Sequence, residues 1–505
     1  MFCRRTFCFA LAFALCLCSA AWAEESAGPS YRMAGLDQTQ YRSWENNAFF
    51  TRMEQRTGVR FTFQQYTKAE EWTNAKAAMT ADAADLPDVL FKAALTGGEC
   101  ISLRENGVLI DLKPLLEENC PNLWAILSAR PDLLSAITLP DGSIAALPFI
   151  SFPANQNYLW INTEWLSNLH LEKPTTAQEL VDVLTAFLNK DPNRNGRSDE
   201  IPLGFLGPFD LKFLGHAFGL IANDYNVFAE NGQAKFMPLE DNFRLFITWL
   251  RDLYQAGLMD KNGFVTSDDL RAVTDSNATA TYGVMITQQI TDLFKVTWAS
   301  KYEIMMPLSY NGERVYRDFS GPLIRGTFAI TSACKDPEKL LQWVDFLYTE
   351  EGAILSGIGK ENEDYVVDGD GTWRFLESVQ NNYDTYRAST LIDGGSVQPG
   401  VLARDFEYKM SGTTQVQEIL DKLTEFGQYT VMPFPYYTLT QAQQDTIQPL
   451  QEKIGYYVDM QIARWVLGEE EISDDTFSAF AAELEQLGLP DFMAFWQSIL
   501  DETTK

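Results

Sequence analysis

Asp85-Leu86-Pro87-Asp88-Val89-Leu90-Phe91 is a turn that feeds three apolar residues, and its reading decides the fold. Pro87 between two aspartates breaks whatever precedes it, and Val89-Leu90-Phe91 is short and wholly apolar, as a strand buried on both faces must be. Working upstream, Trp72 to Ala81 reads as a helix, and Val59-Arg60-Phe61-Thr62-Phe63 alternates as a strand. Before them, Asn46 to Thr57 is an amphipathic helix with Phe49, Phe50 and Met53 on one side, closed by Gly58. Downstream, helix resumes near Ile101, stops at Gly107 and returns from Leu112 to Glu118. Strands separated by helices of this length predict α/β units around a largely parallel sheet.

The same alternation continues. Asp141-Gly142 turns into Ile144 to Leu147, and Pro148 and Pro153 bracket an extended crossing segment. Tyr158-Leu159-Trp160-Ile161-Asn162 is a second apolar strand, followed by a helix from Thr163 to Asn168. Thr176, with Glu179 three residues on, marks a capping box for a helix reaching about Asn189. Asp241 to Gln255 and Pro337 to Tyr348 are further amphipathic helices, Thr281 to Met285 and Phe328-Ala329-Ile330 further strands, and the chain is mainly helical beyond Thr440.

One core is implausible at 505 residues, of which 46% are hydrophobic, so two lobes are expected. The reading assigns 34–150 with 280–325 to the first lobe and 151–279 with 326–505 to the second. Crossings are expected near Phe149 to Asn157, Ala272 to Tyr282 and Gly321 to Thr327.

The start of the chain carries an address. Arg4 and Arg5 precede the apolar run Phe7 to Leu17, and Ala21-Trp22-Ala23 supplies small residues where signal peptidase reads. Residues 1–23 are therefore expected to be a secretory signal, followed by a polar tether to about Met33. The mature protein is then soluble and exported, in the periplasm or at the outer face of the membrane. Leu15 and Leu17 precede Cys16 and Cys18 where a lipid anchor needs a small residue, which argues against lipidation.

A formal charge of −30 repels nucleic acid and anionic lipid. Beyond the signal only Cys100, Cys120 and Cys334 remain, too few for a disulfide scaffold, and a Cys100–Cys120 bridge is left open.

Several phrases recur in an order that carries a resemblance. They include Leu86-Pro87-Asp88, Leu159-Trp160-Ile161-Asn162 followed by Glu164-Trp165-Leu166, Lys173-Pro174-Thr175-Thr176, Asp191 to Leu203, Tyr254 to Leu258, Trp343 to Gly352, Trp465 to Gly468 and Leu484 to Leu489. In this sequence they resemble the family 1 extracellular solute-binding proteins of ABC sugar importers, in the branch that includes alginate-oligosaccharide-binding proteins. The resemblance covers nearly the whole mature chain. It implies a periplasmic-binding-protein-like clamshell of two α/β lobes with crossing strands between them. It further implies a carbohydrate ligand in the cleft, hinge closure and delivery to the permease, with the receptor a monomer.

Asp191-Pro192-Asn193-Arg194-Asn195-Gly196-Arg197-Ser198-Asp199-Glu200 places oxygen donors at positions 1, 3, 5 and 9 and glycine at 6, as the first part of an EF-hand loop does. Pro202 stands where the bidentate carboxylate belongs, so Glu200 must complete the shell, with the Arg197 carbonyl as the backbone ligand. An Asx-rich turn without metal is the plainer reading. The resemblance favours structural calcium, because related sugar-binding proteins carry a shortened loop at the matching place.

Sugars offer apolar faces and a rim of hydroxyls, which flat rings and polar groups recognise. The candidate rings are Trp44, Trp72, Tyr158, Trp160, Trp298 and Trp373, and the candidate polar groups are Arg325 and Asp393. Each ring has core packing as its alternative. Hydrolase, zinc-protease, P-loop and dinucleotide motifs are missing, and there are only two histidines, His170 and His216. A binding protein rather than an enzyme is expected, with a secreted glycosidase using an Asp/Glu pair as the alternative.

Overall fold

The computed structural model describes residues 28–81, 85–151, 157–263, 280–288, 290, 293–294, 299–318, 323–369, 371–394, 396–402 and 421–503. The expected signal at 1–23 and Trp298 lie outside these. In chain order the strands are β1 (Ser30–Leu36), β2 (Arg60–Tyr66), β3 (Val89–Phe91), β4 (Leu147–Ser151), β5 (Tyr158–Asn162), β6 (Ile201–Gly204), β7 (Val227–Glu230) and β8 (Gln233–Phe236). They continue with β9 (Tyr282–Thr287), β10 (Tyr302–Ile304), β11 (Tyr316–Arg317), β12 (Leu323–Ile330), β13 (Tyr365–Val367), β14 (Trp373–Phe375), β15 (Gly400–Leu402) and β16 (Thr430–Val431).

Two sheets organise two α/β lobes. The six-stranded sheet has the order β15-β4-β12-β3-β1-β2, and the four-stranded sheet β10-β5-β9-β6. Val89-Leu90-Phe91 is the strand expected, all three residues fully buried, and it lies between β1 and β12. The pleat sends Val89 and Phe91 to one face and Leu90 to the other. On one face they join Met33, Phe328 and Ile330 in a core that also takes Leu116, Leu147 and Trp343; on the other, Leu90 meets Ala34, Ala329 and Trp72.

The sheets are mixed rather than largely parallel. β1 runs parallel to β2 and β3, but β12 is antiparallel to both β3 and β4, and β9 is antiparallel to β5. The tether expected up to Met33 is also corrected, because Ser30–Leu36 is a strand inside the sheet, one place from its β2 edge, with Met33 and Ala34 buried.

The expected lobe boundaries are reversed between 280 and 402. β9 and β10, inside 280–325, pair with β5 and β6, whereas β12 and β15, inside 326–505 apart from the first residues of β12, pair with β3 and β4. The packing of β9 explains the first half of the reversal. A side chain at Gly283 would meet the Phe187 ring at 2.4 Å and the Pro202 carbonyl at 2.8 Å, so only glycine lets β9 slide in beside β6.

The chain passes between the sheets after β4, after β11 and after β15. Most of the crossing expected at Ala272 to Tyr282 lies outside the described residues; on its two sides, the Asp260 amide donates to the Leu203 carbonyl and β9 pairs with β6, in the same sheet. The C-terminal helices Gln441–Leu467, Asp474–Gln486 and Leu489–Thr503 bury Trp465, Phe480 and Trp496 in the core of the second lobe. Cys100 and Cys120 are free, buried and in different clusters, so they are not bridged.

Candidate functional site

Both lobes contribute to one cleft. Two adjoining cavities of about 640 and 470 Å³ share Gly97, Asp224, Tyr225, Arg325 and Tyr437 in their walls. Gly97 opens the helix Gly97–Glu105 just after β3, and Arg325 comes from β12, both in the first lobe. The second lobe supplies the Asn223–Tyr225 loop and one face of the helix Gln441–Leu467, and the segment from Met432 to Leu439 runs between the two cores, with Tyr436 in the first and Phe434 in the second.

Arg325 reaches the cleft because β12 is irregular there. Its pairing with β4 shifts register between Ile324 and Phe328, and Gly326 sits at φ +67°, a left-handed conformation that suits glycine. A side chain at Gly326 would lie 2.1 Å from the Leu95 carbonyl, so the bulge also holds the Leu95–Gly97 loop against the sheet. The Arg325 guanidinium donates to the Tyr437 carbonyl at 3.0 Å and to Thr438 Oγ1 at 3.4 Å, spanning the lobes.

Opposite stands an aromatic wall. Tyr225, which is 38% exposed, stacks on Trp496 with centroids 5.4 Å apart, and Trp496 meets Tyr437 edge-on at 5.0 Å. Asp224 accepts from the largely buried Arg317 guanidinium at 2.9 Å, and Asn223 Oδ1 accepts from the Tyr225 and Val227 amides. Asn223 Nδ2, by contrast, is buried with no partner among the described residues. Asp318 lines the second cavity, where burial, opposed by Arg130, raises its carboxyl above the usual range.

Asp210 lies beneath the first crossing. Its carboxylate accepts from Asn157 Nδ2 at 2.8 Å and from the Leu206 amide at 2.7 Å, and the Tyr316 hydroxyl donates to the Asn157 carbonyl at 2.6 Å. Two crossings are thus tied at one point. Burial pushes Asp210 up to about 7, against the pull of these hydrogen bonds.

Of the candidates read from sequence that fall on described residues, only Arg325 lines this cleft. Trp44 and Trp72 are core residues of the first lobe, their indole nitrogens donating to Asp37 Oδ2 and the Ala93 carbonyl. Trp160 donates to the Thr287 carbonyl inside the second lobe, and Tyr158 packs there on Tyr316 and Phe426. Trp373 pairs with Tyr365 in the β13–β14 hairpin. These rings sit among apolar neighbours, and a nearby group satisfies the indoles of Trp44, Trp72 and Trp160, so burial wins over cleft exposure. Asp393 is engaged by Arg387 at 3.0 Å and belongs to the network around Arg42.

Sequence reasoning missed Asn223, Tyr225, Tyr437 and the polar face of the last long helix. The signal for that face was present, since Gln444, Gln448 and Gln451 recur at helical spacing.

The loop from Asp191 to Glu200 joins the helix Ala177–Asn189 to β6. Asp191 accepts from the amides of Asn195 (3.0 Å) and Gly196 (2.9 Å), and Asn195 Oδ1 accepts from the Arg197 amide. The side-chain amides of Asn193 and Asn195 turn onto Asp199. Glu200 Oε1 is buried without a partner, and burial, then Asp199 and Asp191, raises its pKa. A cation would relieve that clustering. Among the described residues no three acidic, imidazole or thiol groups close into a metal cluster by themselves, so the amides and the Arg197 carbonyl would be needed as ligands.

A family model for bacterial extracellular solute-binding proteins matches residues 48–355. The chain is 28% identical over 481 residues to the fructooligosaccharide ABC transporter substrate-binding protein FusA of Streptococcus pneumoniae serotype 4 (strain ATCC BAA-334 / TIGR4), spanning 89% of this chain and 86% of that one. The structure of FusA with kestose superposes with a TM-score of 0.65 at 25% identity, over 94% of this chain and 99% of that chain. An EF-hand mutant of FusA with fructo-nystose superposes equally well, at 24% identity over the same shares. A human-milk-oligosaccharide (HMO)-binding, ABC-transporter-associated solute-binding protein of Bifidobacterium longum infantis ATCC 15697 gives 0.75 at 20% identity, over 95% and 99%, a likeness of fold.

Proposed function

The chain belongs to the bacterial extracellular solute-binding proteins, and on that premise we propose that it is the receptor of an ABC importer that captures an oligosaccharide and hands it to the permease. The observation that carries the reading is the cleft itself. A half-exposed tyrosine, a guanidinium and a run of side-chain amides converge between two lobes that the chain links more than once. Rings cover the apolar faces of a sugar, and amides and the guanidinium meet its hydroxyls. A panel of oligosaccharides, followed by both thermal shift and product formation, tests it. Stabilisation without turnover is expected, and turnover would make the protein a glycosidase instead.

Hinge closure follows from the same arrangement, since the lobes meet through crossings and a few hydrogen bonds such as that from Arg325 to Tyr437. The protein works outside the cytoplasm in this reading, as a monomer. Among the described residues no helix is long and apolar enough to cross a membrane.

Calcium at the Asp191 loop is part of the proposal. Asp191, Asn193, Asn195, Asp199 and Glu200, with the Arg197 carbonyl, would hold it. The unpartnered Glu200 oxygen supports this, as does the EF-hand that the FusA mutant structure names in that relative. The ion would be structural, neutralising the carboxylates and pinning the loop that leads into β6.

A further inference from the structure

We infer that the ligand is an uncharged, extended oligosaccharide laid along the helix Gln441–Leu467, an inference that rests on the receptor reading above. The first observation is the length of the wall. Gln444, Gln448 and Gln451 line the larger cavity from one side of a single helix, at spacings of four and three, and Tyr456 lines it farther along the same helix from an adjoining side. From Gln444 to Tyr456 the helix rises roughly 18 Å. A monosaccharide occupies a fraction of such a track, whereas several rings end to end fill it.

The track ends on a platform. Tyr456 is 75% exposed at the far end, a large ring facing solvent where a sugar face can stack. At the other end the cavity continues past Tyr225 to Asn223, whose buried Nδ2 has a proton to donate and nothing to receive it. A hydroxyl or ring oxygen of the ligand satisfies that donor.

The second observation is charge. Among the described residues the two cavities are lined by three carboxylates, Asp224, Asp318 and Glu452, against the single guanidinium of Arg325. Asp224 is already paired with Arg317, and Arg325 spends donors on Tyr437 and Thr438. A uronate chain carries a negative charge on every ring. Along this track most of those charges would lose water without gaining a cation, which costs more than the cleft can return. Neutral sugars meet no such penalty, because amides and carboxylates both pair with hydroxyls.

Titration calorimetry of the protein against neutral fructo- and malto-oligosaccharides, from the disaccharide upward, and against oligogalacturonates of matching length tests the inference. Affinity for a neutral series is expected to climb beyond the disaccharide. Uronates should bind roughly tenfold weaker or worse, with the gap narrowing as salt is added. Gln451→Leu and Tyr456→Ala, both at accessible positions, should weaken long chains more than the disaccharide and leave melting unchanged. Uronates that bind as well as neutral chains, affinity that is flat beyond the disaccharide, or variants that bind long chains normally would each overturn it. If neither class binds at all, the receptor reading itself falls, and this inference with it.

Discussion

Lys92 Nζ stands 2.9 Å from Asp37 Oδ2, both side chains fully buried just past the ends of β1 and β3. Asp37 Oδ2 also accepts from Arg42 and the Trp44 indole, and Lys92 donates to the carbonyls of Ile392 and Gly394. The ion pair therefore joins the first strands of the lobe to a segment some 300 residues later. Burial pushes the Asp37 carboxyl up, but Lys92, Arg42 and the indole hold it below its ordinary value, so it stays ionised.

Asp37→Asn should destabilise the protein by about 3–5 kcal/mol, because two buried cations lose their shared counter-charge. Denaturant unfolding measures this. The double change Asp37→Leu, Lys92→Met should recover part of the loss by removing a cation as well as its partner. A cost under about 1 kcal/mol for the single change, which is what surface pairs give, would show that the pair is solvated.

Asp210 predicts a pH dependence at neutral pH. Its native pKa of about 7 lies above the ordinary 3.8, so the native state binds the extra proton between those values. The stability this contributes is complete below the lower value and is lost as pH rises through the higher one. Asp210→Asn, which cannot ionise, should flatten that part of the melting profile. An equally steep decline in the variant would assign it to other groups.

Calcium should raise the melting temperature and EDTA lower it, since an ion bound only by the native state stabilises it, by about 2.7 kcal/mol at a hundredfold excess over Kd. Asp191→Ala should abolish the response. The calcium effect should also shrink at acid pH, because the raised pKa of Glu200 makes protons compete with the ion. Identical melting curves with calcium and with EDTA would leave an Asx turn in its place.

Arg325→Ala should weaken oligosaccharide binding about tenfold, the loss of one or two hydrogen bonds from a charged group. Calorimetry on the variant reads this directly. Normal affinity with a lower melting temperature would make Arg325 only a tie between the lobes through Tyr437.

Ligand binding should reduce the radius of gyration in solution scattering, because a ligand that touches both walls favours closed forms. A tightly bound oligosaccharide that leaves the curve unchanged would indicate a rigid pocket.

Local elements were legible because their signals are local. Val89-Leu90-Phe91, Tyr158 to Asn162 and the helix after Thr176 follow from short apolar runs and an N-cap, and Thr176 does accept from the Glu179 amide. Glu179 turns its carboxylate back to Thr175 rather than to Thr176, so the cap is one residue off the expected box. Which sheet a strand joins was not legible. β9 and β12 are both apolar, and only contacts such as Gly283 on Phe187 separate them. The cleft was hidden for a related reason: Gly97, Asn223, Arg325 and Tyr437 are far apart in the chain, and none belongs to a spaced motif. The tryptophans were conspicuous in the sequence, but the apolar residues around them already favoured the core.

The placement of β12 has a consequence for how the chain comes to be folded. β12 occupies the middle of the first sheet, yet it follows β3, its neighbour there, by more than 200 residues, with the whole four-stranded sheet of the second lobe intervening. The sheet cannot close while the polypeptide is still being synthesised up to that point, and its closure is a long-range event, of the kind that folds slowly. For a protein exported as an extended thread, as the reading of residues 1–23 expects, slowness would be an advantage. The order of its strands would keep the chain threadable until its later segments had emerged on the far side.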